Sequence, residues 1–251
     1  MSSNIWTRCA GDSEIRALRA TPWRVVESQH LLSTRKLVDT AEEQMVLEDL
    51  IEGSKPPARA SQRLHYLLAT PFRYPPLRHG SRFGTRVEPG IWYGSESLRT
   101  AFAEVAYYRL VFLEDSGADL GTVTTAHTAF SVRARSKRGV DLTTGPFATY
   151  RKAIASPSGY RATHSLGVAM RAAGVEMARY PSARDKSGGN NLAVFTPDAF
   201  GTAKPRDLQT WHCMANVRRV ELAKRDYFGA ARLSFERADF LVNGSLPRPS
   251  A

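Results

Sequence analysis

From residue 90 onward the apolar positions fall into short alternating runs and helical repeats, which set out the elements. Gly90-Ile91-Trp92-Tyr93 is a β-branched and aromatic run that predicts a short strand. Ser95 or Ser97 is placed to cap a helix reaching about Leu113. Residues 123–132 and 139–142 predict strands, residues 160–173 an amphipathic helix, and residues 175–180, 192–195, 217–222 and 233–235 further strands. Separate strands joined by irregular connections point to an α+β fold rather than a doubly wound sheet.

The first sixty residues predict a mostly helical lead-in. Thr40 is placed to cap a helix with Glu42 and Glu43 in its first turn and Val46, Leu47, Leu50 and Ile51 on its apolar side. Gly53 and Pro56-Pro57 stop it. The expected organisation is therefore a helical N-terminal extension over 1–60 and a main domain over 61–251. The stretch from Thr70 to Gly90 holds four prolines and four arginines. It is expected to lie over a surface or a cleft rather than in the core.

Composition narrows the setting more than the function. With 251 residues, 42% of them hydrophobic, the chain can build a sizeable core. Lys and Arg exceed Asp and Glu by 35 to 24, a formal charge of +11 that favours nucleic acid, acidic proteins or nucleotides as partners. The two cysteines, Cys9 and Cys213, suit a reducing compartment. No run near the start resembles a signal peptide. The most apolar stretch, 101–113, is interrupted by Glu104 and Arg109 and is too short to cross a bilayer. A cytoplasmic protein without membrane contact is expected.

Familiar chemical motifs are missing. Thr163-His164-Ser165-Leu166-Gly167 lacks the first glycine of a nucleophile elbow, and Ser187-Gly188-Gly189-Asn190-Asn191 lacks the Gly-Lys-Ser/Thr of a phosphate loop. His212 and Cys213, neighbours on a strand, point to opposite faces and cannot easily chelate one metal. More telling is Glu104. The segment 101–113 is apolar on nearly every side, which marks a buried helix, and Glu104 shares a flank with Ala101, Tyr108 and Val111. A carboxylate there needs a partner or a pocket. Either it pairs with Arg109 or an arginine of the 70–90 stretch, or it faces a site.

Pro71-Phe72-Arg73-Tyr74, Ser81-Arg82-Phe83, Gly90-Ile91-Trp92-Tyr93 and Ala101-Phe102-Ala103-Glu104 together resemble the first half of a RES domain. The family is named for an arginine, a glutamate and a serine. Arg73 and Glu104 match the first two, and Tyr93, 11 residues before the glutamate, matches the pocket tyrosine. Ser182, in Tyr180-Pro181-Ser182 ahead of Asn191-Leu192-Ala193-Val194-Phe195, matches the serine. The resemblance spans roughly 63–225. Gly80-Ser81-Arg82-Phe83-Gly84 departs from the usual Gly-Gly-Arg-Trp-Asn, which leaves the role of Arg73 open to Arg78 or Arg82.

The resemblance implies a mixed-sheet core like that of ADP-ribosyltransferases and an enzyme that degrades NAD+. It requires no cofactor or metal and uses water or inorganic phosphate as acceptor. Glu104 would stabilise the cationic ribose, Arg73 and Arg82 would grip the pyrophosphate, and Tyr93 would stack on nicotinamide or ribose. Ser182 would orient the substrate by hydrogen bonding, with Asn191 beside it. The implied setting is a toxin–antitoxin pair with an antitoxin of the Xre helix-turn-helix type, so that nucleic acid is met only through the antitoxin. The rival readings are transfer of ADP-ribose to a protein target, and a basic nucleic-acid-binding module. No single basic run or nucleic-acid motif supports the latter.

Overall fold

The computed structural model describes residues 4–28, 40, 43, 46–47, 50, 63–74, 80–226 and 229–248. In chain order the helices are α1 (Ile5–Arg8), α2 (Tyr66–Arg73), α3 (Leu98–Asp115), α4 (Arg151–Ile154) and α5 (Arg161–Ala172). The strands are β1 (Arg16–Ala20), β2 (Trp23–Glu27), β3 (Trp92–Ser95), β4 (Val123–Ser131), β5 (Ala134–Asp141), β6 (Met177–Pro181), β7 (Asn190–Val194), β8 (Arg206–Ala215), β9 (Arg219–Asp226) and β10 (Gly229–Glu236). Among the described residues all ten strands belong to one sheet, in the order β1-β5-β6-β7-β3-β2-β4-β8-β9-β10. Every pairing is antiparallel except β5 with β6. This is the α+β mixed sheet expected.

The N-terminal segment corrects the expectation of a helical extension. Thr40 does cap: Glu43 N donates to Thr40 Oγ1 at 3.1 Å, Thr40 N donates to Glu43 Oε2 at 3.3 Å, and Glu43, Val46, Leu47 and Leu50 are helical. Gly53 and Pro56-Pro57 lie outside the described residues. Residues 16–27, however, form β1 and β2, and β2 lies in the middle of the sheet. Trp23, Val25 and Val26 favour a pleated strand. Trp23-Arg24-Val25 alternates, but Val26 follows directly and the run ends at Glu27, so the pattern is too short for a periodicity reading. The boundary at 60 therefore separates two parts of one sheet.

Strand alternation sorts the core onto two faces. Trp92, Leu192 and Val194 pack with Leu67 and Leu68 of α2 on one face. Tyr93 and Ala193 turn to the other, where Leu166 and Met170 of α5 close over Phe83 and Tyr180. Phe102, Ala103, Ala106, Tyr107 and Leu110 of α3 cover Trp211, Cys213 and Leu222. Helix α3 starts where the sequence places it, with Ser97 Oγ accepting from Thr100 N at 3.0 Å. It is not buried all round: Tyr108 and Phe112 are about half exposed. Among the described residues no helix is long and apolar enough to cross a membrane.

The junction of β2 with β3 matters most for function. Trp23 opposite Ser95 is their one registered pair, whereas β2 runs in register with β4 from Trp23 to Glu27. Gly94 sits at this junction because a Cβ there would lie 2.6 Å from the Trp92 ring and 2.9 Å from Trp23 O. The turn at 80–84 is held by α5: His164 Nε2 bonds Ser81 O at 2.8 Å, and Gly167 lies against the Phe83 carbonyl. That turn is part of the interior, contrary to expectation, with Phe83 and Arg82 buried.

Two consequences are measurable. Alanine at Gly167 would gain about 1 kcal/mol in helix propensity. Its Cβ, however, would fall 1.9 Å from Phe83 O. Overpacking of this kind costs about 1–3 kcal/mol. Gly167→Ala should therefore lower the urea midpoint at unchanged slope. His127 on β4 is buried, and burial first, then the Arg109 charge, hold its pKa down at about 4 against an ordinary 6.5. The unfolded chain binds this proton more readily, so the contribution of neutral His127 is complete above pH 6.5 and is lost on acidification toward pH 4. The loss amounts to about 3 kcal/mol. In melts from pH 7 to 4, His127→Gln should lose less stability than wild type. Parallel curves would refute the assignment.

Candidate active site

A cleft of about 420 Å³ opens between β2, β3 and α3. Trp23, Arg24 and Val25 line one side and Tyr93, Gly94 and Ser95 the other. Glu104, Val105 and Tyr108 of α3 lie over them, and Arg82, Tyr160 and Tyr180 close the far end.

Glu104 is half-buried, and two donors converge on its Oε1: Ser182 Oγ at 2.8 Å and Asn191 Nδ2 at 2.6 Å. Both donors are themselves fixed. Ser182 Oγ accepts from the backbone N–H of Arg184 and of Asp185, each at 3.1 Å, so its one hydroxyl proton is committed to Glu104. Ser95 Oγ donates to Asn191 Oδ1 at 2.6 Å, which turns the amide nitrogen toward Glu104. The pair Ser95–Asn191 is in register across β3 and β7. Among the described residues nothing donates to Oε2.

Of the two readings of Glu104, the ion pair is not found. Arg109 pairs with Glu27 and donates to Thr125 Oγ1 at 3.1 Å. No described arginine of the 70–90 stretch forms a salt bridge with Glu104. The carboxylate belongs to the cleft.

Two guanidinium groups enter that cleft without a carboxylate partner among the described residues. Arg82 donates to Ile154 O at 2.9 Å and Ser156 O at 3.0 Å, with its Cζ 4.7 Å from the Tyr160 ring centroid. Arg24 donates to Tyr93 O at 3.1 Å and lies 5.3 Å from the centroid of Trp92. Burial lowers its pKa to about 10, which leaves it charged near neutrality. Carbonyls and rings fix both groups in place without neutralising them, leaving their charge for an anion. Tyr93 supports this end. Its hydroxyl bonds Ser81 Oγ at 2.9 Å and accepts from Phe83 N at 3.1 Å, and burial pushes its pKa up to about 12, so it stays a neutral phenol.

The structure thus brings together Glu104, Ser182, Asn191, Tyr93 and Arg82. Arg73 is not with them. It ends α2, which packs on the opposite face of the sheet, and it does not line the cleft. Arg78 lies outside the described residues. Arg24, which the sequence reading did not single out, lines the cleft where Arg73 does not. The missed signal was a single arginine inside Trp23-Arg24-Val25-Val26, a charge interrupting a strand-forming run. Ser182 and Asn191 also act differently from expectation: they hold Glu104, with no hydrogen-bonding capacity of Ser182 left over for a substrate.

No curated protein matches the chain. Among solved structures it is similar to a chain of the M. tuberculosis MbcT-MbcA toxin–antitoxin complex, at 12% identity and a TM-score of 0.48, over 82% of this chain and 90% of that one. The family model described as RES domain matches residues 56–216, a span that takes in Arg82, Tyr93, Glu104, Ser182 and Asn191 and begins after Arg24. That match covers well over half of the protein, and the chain belongs to the RES domain family.

Proposed function

We propose that the chain cleaves NAD+ at the bond between nicotinamide and ribose, with water or inorganic phosphate as acceptor. The observation that carries this reading is the clamp on Glu104: one oxygen is held by Ser182 and Asn191, and among the described residues the other has no donor and the two neighbouring arginines have no carboxylate partner. As the glycosidic bond breaks, its electron pair leaves with nicotinamide, whose ring loses its positive charge, and the cation develops on the ribose. A fixed carboxylate beside that carbon stabilises the transition state more than the ground state. Arg24 and Arg82 suit the pyrophosphate, as fork-shaped donors to oxygen anions. Tyr93, whose hydroxyl is already bonded, offers a ring edge and shapes the wall. The acceptor then adds to the cationic carbon. Water would lose its proton to the nearby carboxylate or to solvent, and phosphate would add as an anion.

Membership of the RES family supports a toxin restrained by an antitoxin, which we propose to be of the Xre helix-turn-helix type. Transfer of ADP-ribose to a protein is the second reading, since the same carboxylate would serve it. Incubation with NAD+, with and without phosphate, separates the acceptors. Free nicotinamide should appear in either case, with a phosphorylated ADP-ribose only when phosphate is present. Label appearing on protein would favour transfer, and NAD+ left intact after long incubation would defeat both.

Glu104→Gln should lower turnover about 10²–10³-fold. Glutamine can accept the same two bonds at Oε1, and no arginine is stranded, so the melting temperature should hold. A variant that melts early but turns over normally would sink the assignment. Arg24→Leu should raise KM for NAD+ about 10–100-fold, the worth of a charged hydrogen bond. If Arg73→Leu raises it instead, Arg24 is not the phosphate-binding group.

A further inference from the structure

The cleft uses only a small part of the +11 charge of the chain, and another part gathers on a different pair of strands. Arg133-Ala134-Arg135-Ser136-Lys137 places a cation at every second position, and in a strand that period points all of them to one side. Arg133, Arg135 and Lys137 are indeed exposed, whereas Ala134 and Ser136 between them are buried. On the neighbouring strand β1, Arg19 is exposed and stands directly opposite Arg135. Leu18 and Ala134, turned the other way, join the core. Four cations from two distant segments thus share one face, and none of them lines the cleft.

Among the described residues none of these four side chains has a carboxylate partner or a hydrogen bond. Their neighbours differ. Arg16 pairs with Glu14 at 3.2 Å, and Arg138 donates to Gly174 O at 2.7 Å just beyond the end of α5. Glu176 is engaged on the buried side, where it accepts from Ser136 Oγ. Like charges directly opposite each other on a sheet face repel and cost stability. Cations on an edge strand serve to stop it pairing with another chain, and β1 is an edge. That accounts for Arg19 alone, because β5 lies between β1 and β6 and its Arg135 and Lys137 guard no edge. An in-register arginine pair that no described acid relieves marks a surface that meets an anion from outside.

We infer that this face of β1 and β5 binds the phosphate backbone of a nucleic-acid duplex, without regard to sequence. Side chains two residues apart on a strand are about 6.6 Å apart, close to the separation of successive phosphates along one nucleic-acid strand. Arg135 and Lys137 can therefore each take a phosphate, while Arg19 adds a second forked donor beside Arg135. The rest of the face selects this partner over others. Among the described residues no large exposed apolar side chain belongs to β1 or β5, and a protein partner anchors on such groups. The bases of a single strand stack on aromatic rings, which these two strands do not present. Backbone phosphates ask only for donors and positive charge. The contact is the chain's own, which goes beyond the expectation that nucleic acid is met only through an antitoxin. It is hidden in the sequence because the cations form no single run until β1 pairs with β5.

Binding of the full chain to a short DNA duplex of arbitrary sequence, followed by fluorescence anisotropy across a salt series, tests this. The double variant Arg19→Gln/Arg135→Gln should bind about tenfold more weakly at low salt. The slope of log K against log salt should shrink by about 2, roughly one for each lost phosphate contact. Arg218→Gln/Arg232→Gln removes the same charge from exposed positions at the other end of the sheet and should leave the affinity near that of wild type. Loss of the Arg19–Arg135 repulsion should leave the first variant melting at or above the wild-type temperature. Its NAD+ turnover should match wild type, since neither residue lines the cleft. Equal losses in the two double variants would show that net charge alone attracts DNA and would overturn the inference, as would no duplex binding at low salt. Poly-glutamate or single-stranded DNA that competes as strongly as the duplex at equal charge would overturn the choice of partner.

Discussion

Two hydrogen bonds converging on one oxygen of Glu104 tie the site together. Each charge-assisted bond is worth about 1.5–3 kcal/mol, and together they hold a carboxylate on a helix flank that is otherwise apolar. The donors come from different places, Ser182 just after β6 and Asn191 on β7, and each depends on further groups. Asn191 needs Ser95 to orient its amide, and Ser182 needs the backbone N–H groups of Arg184 and Asp185 to orient its hydroxyl. Asp185 in turn accepts from Thr100 Oγ1 at 2.8 Å, which draws the loop onto the first turn of α3. Gly189 permits this approach, since a Cβ there would lie 2.1 Å from Thr100 Oγ1. Moving any one of these groups changes where the charge of Glu104 points.

The +11 charge of the chain says less about function than the way its arginines are paired. Many are matched with acids: Arg109 with Glu27, Arg179 with Glu96 and Asp141, Arg237 and Arg248 with Glu114. The exposed ones, those of Glu114, contribute little stability. Arg24 and Arg82 are held by carbonyls and rings instead, an arrangement that fixes a guanidinium while no described carboxylate offsets its charge. Folding around such groups is costly unless an anion arrives, and in the proposed reaction that anion is the substrate.

Most of the site was legible because its residues lie in segments with a clear local pattern. Glu104 stood out as a charge inside an apolar helix. Tyr93, Ser182 and Asn191 sit on or beside strands read from their apolar runs, though their joint task, holding Glu104, depends on the pairing of β3 with β7, which spacing along the chain does not reveal. Arg82 was placed in the right segment, but that segment was read as a surface loop because its many prolines and arginines mask the buried Phe83 among them. Arg24 was missed for the opposite reason. Its strand is only five residues long and has a charge at each end of Val25-Val26, so its pattern is too brief to mark it. Arg73 gained its candidacy from a neighbouring aromatic-arginine pair that α2 carries to the other face of the sheet.

This error bears on where the functional unit begins. The family match starts at residue 56, and the helical pattern read from the sequence also places a boundary at 60. Yet β2 lies between β3 and β4, and its Trp23, Arg24 and Val25 form one wall of the cleft. Removing β2 would take away Trp23 and Arg24 from one wall and leave Arg109 without Glu27. It would also leave β3 and β4 each with an exposed edge in the middle of the sheet, which is a strong cause of misassembly. The narrow joint between β2 and β3, a single registered pair beside Gly94, is what lets the sheet stay continuous while opening beneath Glu104. The cleft is therefore a property of how the N-terminal strand is inserted, and the residues that match the family acquire their geometry from a segment outside that match.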